Sequence, residues 1–294
     1  MIYSHPLYRP PSEANSLIFQ VTEGCSFNQC SFCSMYRQKD FSEKPVSRVI
    51  EEIKMASESM PYTQRVFLAD GDALYRSNED LLIILAALYQ HFPQLQRVSC
   101  YALPQNLHKK SLAKLEAIKQ AGLQLIYYGI ESGSTELLKC ITKGSTPDKM
   151  IAGINKASQA GLKVSATVIL GLGGQQYWQE HIQQTAALVN QLRLDYLSTL
   201  QLTIRPDIKD EFFDKFERKN RTFTEQGDQG ILQEQIMLIS LLAPEKTLIF
   251  RSNHASNALP LKGNLPDDKE YLLAQLQGAS QGDVPLVPKW ARGL

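Results

Sequence analysis

Three cysteines, Cys25, Cys30 and Cys33, lie within nine positions of the chain, directly after a short apolar run. Thiolates are preferred ligands of iron–sulfur clusters and of zinc, so these side chains can converge on one cluster or one ion. No fourth cysteine lies nearby, because the other two are Cys100 and Cys140. Three protein ligands leave one iron of a four-iron cluster, or one position on a catalytic zinc, open to a small molecule. The spacing therefore favours an enzyme.

A second group of motifs could bind the polar parts of a small ligand. Asp70-Gly71-Asp72 offers carboxylate oxygens suited to an ammonium group or a ribose, and a turn is the alternative interpretation. Glu131 could pair with ligand hydroxyls, or form a helix cap or an ion pair. The glycine-rich segment that begins at Gly171 lets a ligand approach the backbone closely.

Four further side chains are weaker candidates, and each has an ordinary structural alternative. Phe32 could press on a purine or pack within its loop, and Arg205 could bind a carboxylate or form a surface ion pair. Cys100 could donate a hydrogen atom to a product radical or remain a buried, inert thiol. His254, beside Asn253 and Asn257, could contact substrate or cofactor.

Each of these motifs must be positioned by the elements around it. Short apolar runs alternate with amphipathic stretches of helical spacing, which predicts parallel strands joined by helices. The predicted strands cover residues 16–21, 65–69, 98–102, 125–130, 164–170 and 196–204. We therefore predict an α/β fold, a partial (βα)6 barrel with a C-terminal α/β extension. The motifs follow strands, so they should gather on one rim, where such folds place their chemistry.

The predicted domain boundary lies where this alternation ends. Residues 1–205 form the predicted core, and residues 206–294 form an extension that contacts substrate or acts as a lid. Residues 205–230 are rich in charged and aromatic side chains, which indicates a solvated linker or lid. Because substrate contacts would come from such segments, the sequence leaves the substrate unidentified.

Composition limits the partners and the compartment. With 31 basic and 30 acidic residues in 294, the chain has no overall charge footprint for nucleic acid. No apolar run is long enough to cross a bilayer, and the first residues lack the pattern of a signal peptide. Clustered cysteines without an export signal favour a cofactor in a reducing compartment. The prediction is a cytoplasmic protein without a membrane contact.

Taken together, the motifs resemble the radical S-adenosylmethionine (radical SAM) superfamily over most of residues 15–205. The cysteine loop resembles the cluster loop of that superfamily, with one more residue between Cys25 and Cys30 than the usual spacing. Asp70-Gly71-Asp72 resembles the Gly-Gly-Glu motif that meets the methionine amino group. Residues 115–144 are similar to the branch that contains oxygen-independent coproporphyrinogen oxidases and methylthiotransferases.

The resemblance implies cofactors, a partner and further site residues. It implies a [4Fe-4S] cluster on the three cysteines and S-adenosylmethionine, which a reduced cluster cleaves to a 5′-deoxyadenosyl radical that abstracts hydrogen from substrate. It places Glu131 at the ribose and the segment from Val168 to Gly171 beside the adenine. A low-potential cluster requires an electron donor such as flavodoxin or ferredoxin.

Two rival interpretations use the same cysteines. Cys-x4-Cys-x2-Cys also matches a plant-type two-iron ferredoxin, an electron carrier that takes a fourth cysteine from downstream. A zinc site could combine the three thiols with His254 or another histidine. The metal content of the protein would separate these interpretations.

Overall fold

The computed structural model describes residues 3–293, which form strands joined by helices. The strands are β1 Leu17–Gln20, β2 Thr22–Glu23, β3 Ser42–Glu43, β4 Arg65–Ala69, β5 Arg97–Ala102, β6 Leu123–Glu131, β7 Lys163–Leu170, β8 Tyr196–Gln201, β9 Leu248–Ser252 and β10 Leu261–Leu265. The helices are α1 Val46–Ser59, α2 Asn78–His91, α3 Pro104–Lys109, α4 Leu112–Gln120, α5 Thr135–Cys140, α6 Pro147–Gln159, α7 Gly174–Val189, α8 Lys209–Glu217, α9 Asp228–Leu241 and α10 Lys269–Gln281.

The chain divides into two compact units. The first contains the described residues up to Asn28, with Met35–Tyr128 and Ala152–Val164. Its strands lie in the order β1, β4, β5 and β6, and every adjacent pair is parallel. Its core consists of apolar side chains from these strands and from α2 and the residue that ends it. Fully buried examples are Phe19, Phe67, Ile84, Leu88 and Phe92.

The second unit contains residues Gln29–Ser34, Gly129–Ile151 and the chain from Ser165 onward. Its strand order begins with the last residues of β6 and continues through β7, β8, β9 and β10. β7 and β8 are parallel, as are β8 and β9, whereas β10 is antiparallel to β9. This unit therefore also joins parallel strands through helices, and it ends on an antiparallel edge.

Serine caps fix the start of three helices. The hydroxyls of Ser77, Ser111 and Ser134 accept hydrogen bonds from backbone amides in the first turns of α2, α4 and α5, at 3.1 to 3.3 Å. Each bond satisfies an amide that has no partner within its helix. The predicted strands and helices up to residue 201 are present, with ends that differ by a few residues.

The C-terminal half differs from the sequence prediction in two places. The predicted linker or lid at 205–230 contains α8, whose Phe212 and Phe216 are buried and pack with Phe213 and Phe223. Four phenylalanines bury a large apolar area, which orders a segment that its charged residues made us expect to be solvated. The edge strand β10 was also missed, because its Lys-Gly-Asn centre carries no strand signal.

No helix among the described residues is both long and apolar enough to cross a bilayer.

The predicted domain boundary at residue 205 stays a prediction.

Candidate cofactor site

Asp70 lies directly after β4 in the first unit and is fully buried. Its Oδ1 accepts a hydrogen bond from Gln20 Nε2 at 3.0 Å, and its Oδ2 accepts one from the Gly24 amide at 3.0 Å. Lys39 Nζ lies 2.9 Å from Oδ2 and neutralises the carboxylate. Both oxygens are therefore occupied by the protein. Asp70 anchors the loop that follows β2 and carries Cys25.

Gly71 lies where two stretches of backbone meet. Its amide donates to the Gly24 carbonyl at 3.1 Å. A Cβ at this position would lie 2.7 Å from the ring of Tyr36 and 3.3 Å from Cβ of Cys25. Only glycine allows this approach, so Gly71 positions the cysteine loop through its lack of a side chain.

Asp72 differs from Asp70 because one of its carboxylate oxygens has no hydrogen bond to any described residue. It is buried, and one oxygen accepts a hydrogen bond from Ser26, the residue after Cys25. Its Oδ1 is also buried and has no hydrogen-bond partner among the described residues. Burial raises the pKa of Asp72 to about 6, against the opposing effects of the Ser26 and Asn106 side chains, the charge of Lys110 and the backbone at Tyr75. The group is thus ionised at neutral pH, and it can accept a bond from a cationic ligand.

Cys100 and Lys110 lie close to Asp72 in the same unit. Cys100 is buried, and burial together with the nearby Asp72 raises the pKa of its thiol, which therefore stays protonated. Lys110 Nζ is already engaged, because it donates to the Arg76 carbonyl at 2.8 Å and to Asn78 Oδ1 at 3.1 Å. The candidate role of Cys100 as a hydrogen-atom donor stays a prediction.

In the second unit, Cys30 and Cys33 lie on a short loop. The Cys33 amide donates to the Cys30 carbonyl at 3.1 Å, which closes a tight turn. The Ser31 amide donates to the Ile141 carbonyl at 2.9 Å and attaches this turn to the segment after α5. Phe32, between the two thiols, is half-buried, as are both cysteines.

Glu131, the last residue of β6, forms a buried ion pair with Lys143. Their Oε1 and Nζ atoms are 2.7 Å apart, and the side chains are 9% and 7% exposed, respectively. Glu131 has a φ of 64°, a left-handed conformation that places its carboxylate over Gly129, where any Cβ would collide with it. Burial alone lowers the pKa of Lys143, but Glu131 and the nearby Cys30 and Cys33 outweigh this effect and raise it.

The loop after Glu131 is held by α7. His181 Nε2 lies 2.9 Å from the Ile169 carbonyl, which can only accept, so this nitrogen carries the proton. His181 Nδ1 therefore accepts from the Ser132 hydroxyl at 2.8 Å. The Gly133 amide donates to Thr185 Oγ1 at 2.8 Å. Burial lowers the pKa of His181 to about 4, so the imidazole is neutral and acts as a fixed support.

Gly171, which follows β7, is held by a buried carboxyl on α9. Its amide donates to Glu234 Oε2 at 2.6 Å, and Gln226 donates to the other oxygen. Burial raises the pKa of Glu234 to about 8, against both of these bonds. Gly171 has a φ of 83°, a left-handed conformation that favours glycine. Val168 is buried in β7.

The other two candidates have protein partners in the second unit. Arg205 is exposed, and its Nε lies 3.4 Å from Asp207 Oδ1. His254 Nδ1 lies 2.8 Å from the Ser256 hydroxyl. The neighbouring Asn257 is structural, because its Nδ2 donates to the Thr199 carbonyl at 2.8 Å. Their roles at a ligand stay predictions.

Comparisons with known proteins supply the family. A profile described as the radical SAM superfamily matches residues 19–189, more than half of the chain. The chain belongs to the radical SAM superfamily.

Individual relatives agree with this assignment. An uncharacterized methyltransferase of Pyrococcus horikoshii is 29% identical over 61% of this chain and 38% of its own length. A putative methylthiotransferase of Methanocaldococcus jannaschii is 25% identical over 71% of this chain and 45% of its own length. The chain thus spans less than half the length of these two relatives.

The fold of coproporphyrinogen III oxidase from Escherichia coli, a radical SAM enzyme, superposes with a TM-score of 0.57 at 17% sequence identity, over 76% of this chain and 52% of that one. This match confirms the predicted α/β fold of the partial-barrel type.

Membership in the radical SAM superfamily confirms the predicted enzyme class and its cofactors, S-adenosylmethionine and a [4Fe-4S] cluster. The residues fit both groups chemically. Three thiol side chains in one segment are the donor type that iron–sulfur clusters require. The buried, unpartnered oxygen of Asp72 fits an amino group. Among residues 3–293, no three Cys, His, Asp or Glu side chains are placed as a metal-binding group, so the ligand set stays a prediction.

Several residues of this radical SAM protein escaped the sequence analysis. Ser26, Lys143, His181 and Glu234 all contact candidate site residues. Lys143 lies twelve positions after Glu131, and Glu234 lies sixty-three positions after Gly171. No local pattern links residues so far apart. The one available signal was Ser26, a hydroxyl side chain directly after Cys25 in the cysteine segment already recognised.

Proposed function

We propose that this chain cleaves S-adenosylmethionine reductively at a [4Fe-4S] cluster bound by Cys25, Cys30 and Cys33. The cluster and S-adenosylmethionine together supply a 5′-deoxyadenosyl radical, which abstracts hydrogen from a substrate not yet identified. The protein contributes positioning and exclusion of water, while the cofactors carry the difficult chemistry.

The observation that carries the proposal is the state of Asp72. A buried carboxylate oxygen without a partner is costly, unless a ligand completes its hydrogen bonds. The other oxygen of Asp72 is bonded to Ser26, next to the first cluster cysteine. A ligand ammonium group beside Asp72 would be held next to Cys25, as coordination of the amino acid part of S-adenosylmethionine requires.

Other residues take supporting roles in this proposal. Glu131 binds the ribose hydroxyls through the carboxylate oxygen that does not face Lys143. Val168 and Gly171 border the adenine, and Phe32 packs on it. Arg205 exchanges its exposed partner Asp207 for a carboxylate of cofactor or substrate.

The proposal also includes partners and location. A low-potential donor such as flavodoxin or ferredoxin reduces the cluster, and the protein works in the cytoplasm. Residues 206–294 are proposed to contact the substrate.

The test is formation of 5′-deoxyadenosine. The protein is reconstituted anaerobically with iron and sulfide, reduced with dithionite and mixed with S-adenosylmethionine, and the products are separated by chromatography. We expect 5′-deoxyadenosine from the wild type and none from Cys30→Ala. The matched control is Cys140→Ala, which removes a cysteine outside the cluster segment and should leave the product in place.

Metal content makes the test decisive against the rivals. A wild-type protein with a full four-iron cluster that forms no 5′-deoxyadenosine would contradict the proposal. Two irons that are stable in air would point to a ferredoxin, and zinc to a zinc protein.

A further inference from the structure

The second unit contains a basic cleft whose lining residues have no individual role in the function proposed above. Its volume is about 590 Å³, and we call it the basic cleft. It is lined by five cationic side chains and three hydroxyls, together with Leu138 and Gly144. The lining residues with charge or hydroxyl are Lys139, Thr142, Ser145, Thr146, Lys149, Lys215, Arg218 and Lys219. Among residues 3–293, no acidic side chain lines it.

These cations come from separate elements. Lys139 lies on α5, Lys149 lies in the first turn of α6, and Lys215 lies on α8. Arg218 and Lys219 directly follow α8. Their convergence is a product of the fold, since α5 and α8 are about seventy residues apart in the chain. Like charges brought together repel unless an anion binds among them.

Part of this charge is offset within the protein, and part is not. Lys139 pairs with Glu136 at 2.7 Å, and Lys215 and Arg218 each lie 4.0 Å from an acidic residue of α8. In the described part of the chain, no carboxylate lies within 4.0 Å of the ammonium groups of Lys149 or Lys219, and both are exposed. The cleft therefore keeps an uncompensated positive charge.

The hydroxyls and the glycine point to the kind of anion. Lys215 Nζ lies 3.0 Å from Thr142 Oγ1, so a cation and a hydroxyl are held side by side at the cleft wall. Gly144 has a φ of 70° and no side chain, which leaves its backbone open to a ligand. Ammonium groups, hydroxyls and exposed backbone together are the groups that bind phosphate oxygens.

We propose that the basic cleft binds the phosphate groups of a ligand, either a free nucleotide or an RNA strand. The cleft is concave, and the side chains that carry its hydroxyls are short, which suits phosphate groups that enter it. An acidic protein would instead present a broad surface. The overall charge balance of the chain concealed this site, because acidic residues lie elsewhere on the same elements.

The test measures binding to the full chain by fluorescence anisotropy, with a fluorescein-labelled oligouridylate as the RNA probe. Unlabelled inorganic tripolyphosphate is the competitor. The cleft variant is Lys149→Gln with Lys219→Gln, and the control is Lys262→Gln with Lys289→Gln, two exposed lysines with the same change in charge. Circular dichroism checks that each variant folds.

We expect the cleft variant to bind the RNA at least about tenfold more weakly than the control does. The slope of log affinity against log salt, between about 50 and 200 mM, should become shallower by about 1.4, which is 0.7 for each lysine removed. Tripolyphosphate should displace the RNA from the wild type. A second outcome is that the RNA does not bind, but tripolyphosphate protects the wild type, and not the cleft variant, against thermal unfolding. In that case the ligand of the cleft is a small phosphate compound and not RNA.

Two results would overturn the proposal. One is equal binding by the cleft and control variants. The other is no binding of either phosphate probe to the wild type. This result would overturn the proposal even if reduced flavodoxin were found to bind through the same lysines. The measurement requires no turnover, so its failure would leave the proposed cleavage of S-adenosylmethionine untouched.

Discussion

The two units of this protein treat their candidate carboxylates in opposite ways. In the first unit, Asp72 is buried, and one of its oxygens has no hydrogen-bond partner among the described residues. In the second unit, Glu131 is buried against the ammonium group of Lys143, and Glu234 is bonded to the Gly171 amide and to Gln226. All three are nearly inaccessible to water, yet among the described residues only Asp72 has a buried carboxylate oxygen without a hydrogen-bond partner.

The difference teaches what each carboxylate is prepared to bind. Burial without a partner favours a cationic ligand, because the ligand supplies the missing interaction. Glu131 already has its counter-charge, so it suits neutral hydroxyl groups. Glu234 is uncharged at neutral pH, which makes it a support for the backbone at Gly171 and not a ligand for a cation.

The largest effect is expected from a variant that breaks the ion pair between Glu131 and Lys143 in the second unit. Lys143→Met leaves Glu131 as a buried, uncompensated charge, and we expect a loss of about 3 to 5 kcal/mol in the free energy of unfolding. Urea denaturation measures this loss. The double variant Glu131→Gln with Lys143→Met should recover much of it.

The control for that prediction is a pair of the same length at the surface. Lys139 and Glu136 are also 2.7 Å apart, but their side chains are 54% and 47% exposed. Lys139→Met should therefore cost less than about 1 kcal/mol. Equal losses for the two single variants would show that burial of the Glu131 pair has no energetic consequence.

The next effect concerns pH. The pKa of Glu234 is raised by burial to about 8, above that of an unfolded chain, so the folded state holds a proton that the unfolded state releases. The contribution of Glu234 to stability must then fall as pH rises toward 8. Between about pH 6 and 8 the loss should reach about 2 to 3 kcal/mol, at 1.36 kcal/mol per pH unit.

Glu234→Gln should remove this component of the pH dependence, whereas the exposed Glu270→Gln should retain it. Chemical denaturation at a series of pH values measures both. A Glu234→Gln variant whose stability declines as steeply as the wild type would mean that another group titrates.

The smallest of the three effects concerns the first unit. Asp72→Asn removes the charge that we propose to bind an ammonium group, so S-adenosylmethionine should bind about 10- to 100-fold more weakly, the equivalent of about 1.5 to 3 kcal/mol. Anaerobic calorimetry on the reconstituted protein measures the Kd. The free energy of unfolding should not decrease, because the variant also removes a buried, incompletely paired charge.

Glu79→Gln, an exposed change of the same kind on α2, should leave the Kd as it is. An unchanged Kd for Asp72→Asn would refute the assignment of Asp72 and would remove the contrast between the two units.

Much of the fold followed from local patterns. Short apolar runs predicted the parallel strands, and amphipathic stretches of helical spacing predicted the helices between them, because these patterns are set by residues only a few positions apart. The phenylalanines of α8 were misjudged for the opposite reason. Their partners, such as Phe223, lie beyond the helix, so burial depends on packing that composition does not show.

The sequence by itself determined the chemistry that this protein can perform. Three thiols in one segment, carboxylates after strands and the order of these motifs are properties of residue type and spacing, and they sufficed for the family and its cofactors. Only the tertiary structure decided which carboxylates are engaged. Asp70 and Asp72 are two positions apart, yet one is fully bonded and the other is not. Partners such as Lys39 and Ser26 lie more than thirty residues away, and only folding brings them close.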